Sequence, residues 1–285
     1  MKYTTIRLQR SRGHEQHPSA VLFHMLKPAS GGFHVRNVDG LGMPEINVNL
    51  APALDNRMAS YNGSRSQNRQ IVITATMYAD YANNKSIGDL RDSIYRLAMP
   101  EAAVGEYIRV DLMTSDGAIY LNTWGYISKI ESPQFSKEPL MQITIECIPV
   151  HLRGHTAQID SSTNHTINLS NVGTAPTSVD MRVKVGGGSQ PIVFALLRGD
   201  KTIFRLQAQT AFLPNDVIHV NTAPDVRNVY LNRGSTVTSL LRYVDPISVW
   251  FEIPPGPSQL IAVGNTTPNP FIIEQATMLR QYWGA

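Results

Sequence analysis

The segment from residue 69 to residue 149 constrains this chain most, because it spells out a complete small α+β unit. Residues 69–78 alternate with period two, which predicts a strand with Ile71, Ile73, Ala75 and Met77 on one face. Ser86 and Asp89 then stand three apart, ahead of an apolar series at helical spacing: Ile87, Leu90, Ile94 and Leu97. That is a capping box opening an amphipathic helix, which Pro100 ends. Strands resume at residues 107–113, 118–130 and 140–148. In the last of these, Met141, Ile143, Ile145 and Cys147 share a face against Gln142, Thr144 and Glu146. The unit carries no catalytic constellation, so it reads as a building block and not as an enzyme.

The rest of the chain extends the same theme. Its 285 residues suffice for two domains, each with its own core. Charged residues make up 16%, and the 20 glycines and 18 prolines punctuate short apolar runs. One helix among so many turn signals predicts a mainly β protein. We place an N-terminal β-sandwich with helix 87–98 at residues 1–154, a polar linker at 155–166 and a second β-sandwich at 167–285. Within the second, the expected strands include 247–253, with Trp250 and Phe251 mid-strand, and 271–279. In that last strand Ile273, Gln275 and Thr277 face opposite to Ile272, Glu274 and Ala276.

Two segments resist this reading. Before residue 37 six Lys or Arg (Lys2, Arg7, Arg10, Arg12, Lys27, Arg36) face Glu15 alone. Residues 2–39 are read as a strand, a turn and a second strand, and the basic run within them is either a solvated terminus or a surface for an acidic neighbour or for phosphates. The overall formal charge of +3 is too small to argue for nucleic-acid binding. Residues 40–67 show no sustained period and hold Pro44, Pro52 and the turn dipeptide Asn62-Gly63. So long a loop suits a reach toward a neighbouring molecule.

The chemistry searched for does not assemble. The lone Cys147 allows no internal disulfide and reads as a small core residue. His14, His17, His24 and His34 fit no strong metal pattern, and Gly40-x-Gly42 lacks the rest of a dinucleotide fingerprint. No P-loop, HExxH or GxSxG motif occurs. Asp89 is used as a helix cap, Asp92 reads as a solvated face, and Asp111, Asp116, Glu131 and Glu138 flank turns. No catalytic, metal or cofactor site is therefore expected. Met1–Gln16 has no apolar signal core and no run approaches 18 apolar residues, so cytoplasmic synthesis without a membrane span is expected. The aromatic residues Tyr120, Trp124 and Tyr126 share a strand face and suit a core or a subunit seam; Tyr282-Trp283 is expected to dock at the end of the last strand.

Taken in order, Arg69-Gln-Ile-Val-Ile, Leu90-Arg-Asp-Ser-Ile-Tyr-Arg-Leu, Gly125-Tyr-Ile and Ile143-Thr-Ile-Glu-Cys-Ile-Pro resemble the N-terminal domain of the distal tail protein (Dit) family of long-tailed, siphovirus-type bacteriophages. Residues 167–177, 228–231, 254–261 and the ending Phe271-Ile-Ile-Glu through Arg280-Gln-Tyr-Trp are similar to that family's C-terminal β-sandwich. The resemblance covers about residues 35 to 283. It implies a non-enzymatic virion protein at the tail tip, forming a hexameric ring that joins the tail tube protein to the hub or tip protein. Receptor-binding or side-fibre proteins are further implied partners, and DNA only passes through the lumen. Candidate subunit-contact or anchoring residues are Arg69, Ile71, Ile73, Met141, Ile143, Ile145, Tyr282 and Trp283, with strand addition beside residues 69–78 or 140–148. The alternatives are a carbohydrate-binding second sandwich and, in a third class, a glycan hydrolase.

Overall fold

Alternation at period two becomes sheet here through one repeated device: every second side chain enters a shared interior. A computed structural model of the chain describes residues 3–12, 15–52, 59–98, 106–133, 139–148, 150–188, 190–224 and 226–285. The chain divides into two units, residues 1–155 with 282–285, and residues 156–281.

The first unit contains β1 (Thr5–Arg12), β2 (Glu15–His24), β3 (Gly32–Asp39), β4 (Ile46–Pro52), β5 (Ala59–Ser66), β6 (Gln70–Tyr78), α1 (Ile87–Leu97), β7 (Glu106–Met113), β8 (Ile119–Glu131), β9 (Leu140–Cys147) and the start of β10 (Leu152–Ser161). Strands pair in the order β8–β7–β1–β2–β3–β6–β9, and β9 pairs back onto β8. The sheet thus closes on itself like a barrel, where two separate layers were expected. Closure needs Gly125, which sits on β8 between Ile108 of β7 and Cys147 of β9. A Cβ there would stand 2.1 Å from the Glu146 carbonyl oxygen.

The interior collects the residues that alternation selects: Ile71, Ile73, Ala75 and Met77 from β6, and Met141, Ile143, Ile145 and Cys147 from β9. Helix α1 adds Leu90, Ile94 and Leu97 to the same core. Its capping box is present: Asp89 N–H donates to Ser86 Oγ at 3.2 Å, and Ser86 N–H donates to Asp89 Oδ2 at 2.8 Å. Each large aliphatic side chain buried this way contributes about 1.5–3 kcal/mol.

Both resistant segments are corrected by the structure. The basic N-terminus is no arm: β1 lies inside the circuit between β2 and β7, with Ile6 and Leu8 buried. Two of its cations are used locally, and Lys2 lies outside the described residues. Arg7 donates to Asp111 Oδ2 at 2.7 and 2.9 Å, and Arg10 donates to the Leu97 carbonyl at the end of α1 at 3.0 Å. The aperiodic stretch forms a hairpin, β4 against β5, which among the described strands pairs with no third one. Asn62-Gly63 lies within β5 and not in its turn.

The second unit is a sandwich. It holds β11 (Thr166–Asn171), β12 (Val179–Val185), β13 (Val193–Arg198), β14 (Lys201–Gln207), β15 (Val217–Asn221), β16 (Asn228–Arg233), β17 (Thr236–Ser239), β18 (Gly256–Gly264) and β19 (Phe271–Tyr282). One layer runs β17–β16–β15–β12–β19 and the other β11–β18–β13–β14. Phe194 of β13 meets Phe271 of β19 edge-on with centroids 5.1 Å apart, and Phe212 meets the same ring at 5.9 Å. Phe204 completes this aromatic centre against Phe194.

Three further expectations change, and one strand was not foreseen. Residues 155–166 are not a polar linker: β10 runs through to Ser161, and Ser162 Oγ donates to the Thr166 carbonyl as β11 begins. Residues 247–253 form irregular chain apart from a bridge at Ile253, although Phe251 is buried and Trp250 packs on Phe204. Strand β17, exposed along its whole length, had no apolar pattern to announce it. In β19 the register against β12 shifts at Arg182/Val183, which partner Gln275 and Ile273. Glu274 is the extra residue of a bulge, so parity flips after it, and Ala276 and Met278 join Ile273 in the core.

Candidate interaction site around Arg69

Arg69 precedes β6 and is 2% exposed. Among the described residues its guanidinium meets no carboxylate but four backbone carbonyls. Nε donates to Val150 O at 2.8 Å, Nη1 to Gly40 O at 2.5 Å and Gly42 O at 2.8 Å, and Nη2 to Trp283 O at 2.5 Å. The planar fork of donors suits such a cage, since each N–H has a fixed direction and a charged donor strengthens each bond. Burial lowers the Arg69 pKa from its ordinary value, yet an arginine stays protonated at neutral pH.

The cage gathers three distant pieces of chain at the root of the β4–β5 hairpin. Gly40 has φ +83, and a Cβ on it would stand 1.7 Å from the Gln70 carbonyl oxygen, so glycine alone fits beside the incoming strand. The last residues of the chain lie alongside. Ala285 N–H donates to Leu41 O at 2.9 Å, Gly284 lies against Gly42, and the Trp283 ring stands edge-on to His151 with centroids 4.1 Å apart. Tyr282 packs against the core of the first unit. Cys147 N–H donates to Arg69 O, and burial pushes the Cys147 thiol up to about 11, so the sulfur is inert near neutrality.

The other sequence-derived candidates sit elsewhere. Ile71, Ile73, Met141, Ile143 and Ile145 are at most 1% exposed and face the core, so their side chains reach no outside molecule. Strand addition beside them is corrected too, because β6 is flanked by β3 and β9, and β9 by β6 and β8. Trp124 and Tyr126 face outward, not into the core: Arg153 lies 4.2 Å over the Trp124 ring and Tyr126 is open to solvent. What the residue pattern missed is the carbonyl set of Gly40, Gly42, Val150 and Trp283. A carbonyl is common to every residue and leaves no mark in a sequence; the Gly40-x-Gly42 pair was the one available sign.

Four of the carboxylates singled out from the sequence, Asp89, Asp111, Asp116 and Glu131, have structural partners. Asp111 is fully buried between Arg7 and Arg109, at 2.7 Å from each. Asp89 and Asp116 have pKa values lowered by hydrogen bonds from Ser86 and Thr114, the side-chain hydroxyl of each being the largest cause. Glu131 pairs with Lys129, and Glu138 and His14 lie outside the described residues. Among the described residues no three His, Cys, Asp or Glu converge as metal ligands, and no helix is long and apolar enough to cross a membrane.

No protein-family model and no curated protein matches the sequence. Solved structures do. The crystal structure of the Dit protein of phage SPP1, described as a paradigm of the hub adsorption apparatus in phages infecting Gram-positive bacteria, matches 96% of this chain and 98% of its own, with a TM-score of 0.63 and 13% identity. Chains of the phage P2 baseplate in its activated conformation align with lower scores. The calcium form gives a TM-score of 0.45 at 9% identity over 98% of both chains, and the strontium form 0.45 at 10% over 97% of both. The present chain has the fold of the SPP1 Dit protein along nearly its whole length.

Proposed function

We propose that this chain is a non-enzymatic subunit of a bacteriophage tail tip, closing into a hexameric ring between the tail tube protein and the hub. One observation carries the reading: the shared fold extends over 96% of the chain and includes both units. In this reading the protein is made in the host cytoplasm, ends in the virion, lets DNA pass through its lumen, and offers its periphery to receptor-binding or side-fibre proteins. A closed ring requires two different, complementary patches on each subunit. The β4–β5 hairpin supports one of them. Its strands pair only with each other among the described strands, and Ile46 and Val48 are exposed on one face. A two-stranded ladder is marginal on its own and gains stability by docking. Arg69, Tyr282 and Trp283 serve as anchors at its root, and the buried Ile71, Ile73, Met141, Ile143 and Ile145 shape the wall.

The glycan-gripping second sandwich draws no support from that unit's aromatic residues. Phe251 is buried, Trp250 packs on Phe204, and Tyr230 is stacked on His219 at 4.5 Å. Native mass spectrometry of the purified protein, together with a reconstruction of the tail tip that contains it, tests the ring. A hexameric mass or a six-fold ring is expected. A strictly monomeric protein at micromolar concentration, with no such ring in the tip, overturns the proposal.

A further inference from the structure

A cleft of about 530 Å³ opens beside the hairpin root, lined by Asn47, Ser66, Gln67, Asn68, Gln70 and Glu146. Its size lies within the range of small-molecule sites, ~300–1,000 Å³. Its chemistry is narrow. Among the described residues the lining comprises four carboxamides, one hydroxyl and one carboxylate. These polar groups offer a greasy ligand no wall to bury against, and the Glu146 carboxylate repels a phosphate or sulfate. A single carboxylate does not make a cation site. A neutral ligand rich in hydroxyls remains, because each carboxamide offers a donor and an acceptor in one plane and a carboxylate accepts from adjacent hydroxyls.

The lining groups are held in place while keeping capacity for such a ligand. Gln70 Nε2 donates to Glu146 Oε1 at 2.7 Å, leaving Gln70 Oε1 and Glu146 Oε2 for other partners. Gln67 Nε2 donates to Asn47 Oδ1 at 3.2 Å, leaving the Gln67 oxygen and the Asn47 amino group. Gln70, Glu146 and Tyr126 lie directly opposite one another on β6, β9 and β8, so they form one cross-strand row on the outer face. Tyr126 is 52% exposed and sets an aromatic ring beside the carboxylate, where it can cover the C–H face of a sugar.

We propose that this cleft of the first unit binds a neutral saccharide, with Glu146 and Gln70 bonding adjacent hydroxyls and Tyr126 flanking the ring. The proposal is independent of the ring reading. Saturation-transfer NMR on the full-length protein with maltotriose, chitotriose and globotriose tests it. Transfer to at least one trisaccharide is expected, weakened about tenfold or more in Glu146→Gln and in Gln70→Ala, and reduced in Asn47→Ala across the cleft, with melting curves unchanged in Gln70→Ala and Asn47→Ala because those two side chains are exposed. No transfer to any of the three at ~10 mM, or transfer that survives all three substitutions, overturns it. Loss of the assembled mass in these variants without any sugar binding would make the cleft a seam between copies and equally overturn it. The unsubstituted protein's native mass is read without sugar, so the ring and the cleft fail separately.

Discussion

The two units close their cores by opposite means. The second gathers Phe194, Phe204, Phe212 and Phe271 at the centre of a sandwich, all fully buried, and its layers meet through those rings. The first closes a circuit of strands around aliphatic side chains, then secures the place where chain segments converge with a buried cation and four carbonyls. Aromatic packing is only weakly directional and tolerates repacking at conserved volume, whereas a fork of charged hydrogen bonds demands one geometry. The first unit should therefore be sensitive to the shape of one side chain, and the second to volume.

The largest expected effect is in the second unit. Phe271→Ala removes a ring that touches two others, and should cost roughly 3–5 kcal/mol. Hydrogen exchange resolved along the chain should show the loss in β12, β13 and β19. Were it to loosen the first unit as strongly, the two cores would not be separate. Arg69→Lys tests the other half of the comparison. It keeps the charge and loses the fork, so two or more carbonyls go unbonded, at a cost of about 2–3 kcal/mol. Faster exchange at residues 40–42 and 283–285 is the expected signature, and unchanged exchange there would mean that a point charge suffices. Ser86→Ala should cost only about 1 kcal/mol, read as fraying of the first turn of α1 by exchange or circular dichroism.

The smallest effect sharpens the contrast at a single atom. The Cys147 thiol has its pKa raised by burial to about 11, so the neutral thiol is the favoured native form. Its contribution is fully present below the unfolded value near 9 and is lost as pH rises toward about 11. The native protein should resist a thiol-specific disulfide reagent at pH 8 and react on unfolding. Rapid native reaction would show that the wall beside Arg69 opens readily.

Much of this architecture was legible in the residues, for reasons that are local. Period-two alternation in β6 and β9 and the Ser86–Asp89 box before Leu90, Ile94 and Leu97 each act within a few residues, and each element formed as read. Elements whose stability comes from a partner strand were not legible. The basic β1 looks like a solvated arm until Asp111 and β7 stand beside it, and the short alternation of Ile46 and Val48 in β4 is not continued in its partner β5. The flip of Ala276 and Met278 into the core depends on one extra residue opposite Arg182, which alternation within β19 cannot reveal.

The sequence by itself determined the mainly β class, the helix with its cap, and the faces of the strands that line the first core, because side-chain periodicity is a property of the local chain. Only the tertiary structure decided that the first sheet closes at Gly125, that residues 282–285 return to the first unit, and that Arg69 holds Gly40, Gly42, Val150 and Trp283. Those outcomes rest on backbone carbonyls and on strand spacing. Every residue carries the same backbone, so which carbonyl meets which donor is settled when the chain has folded around it.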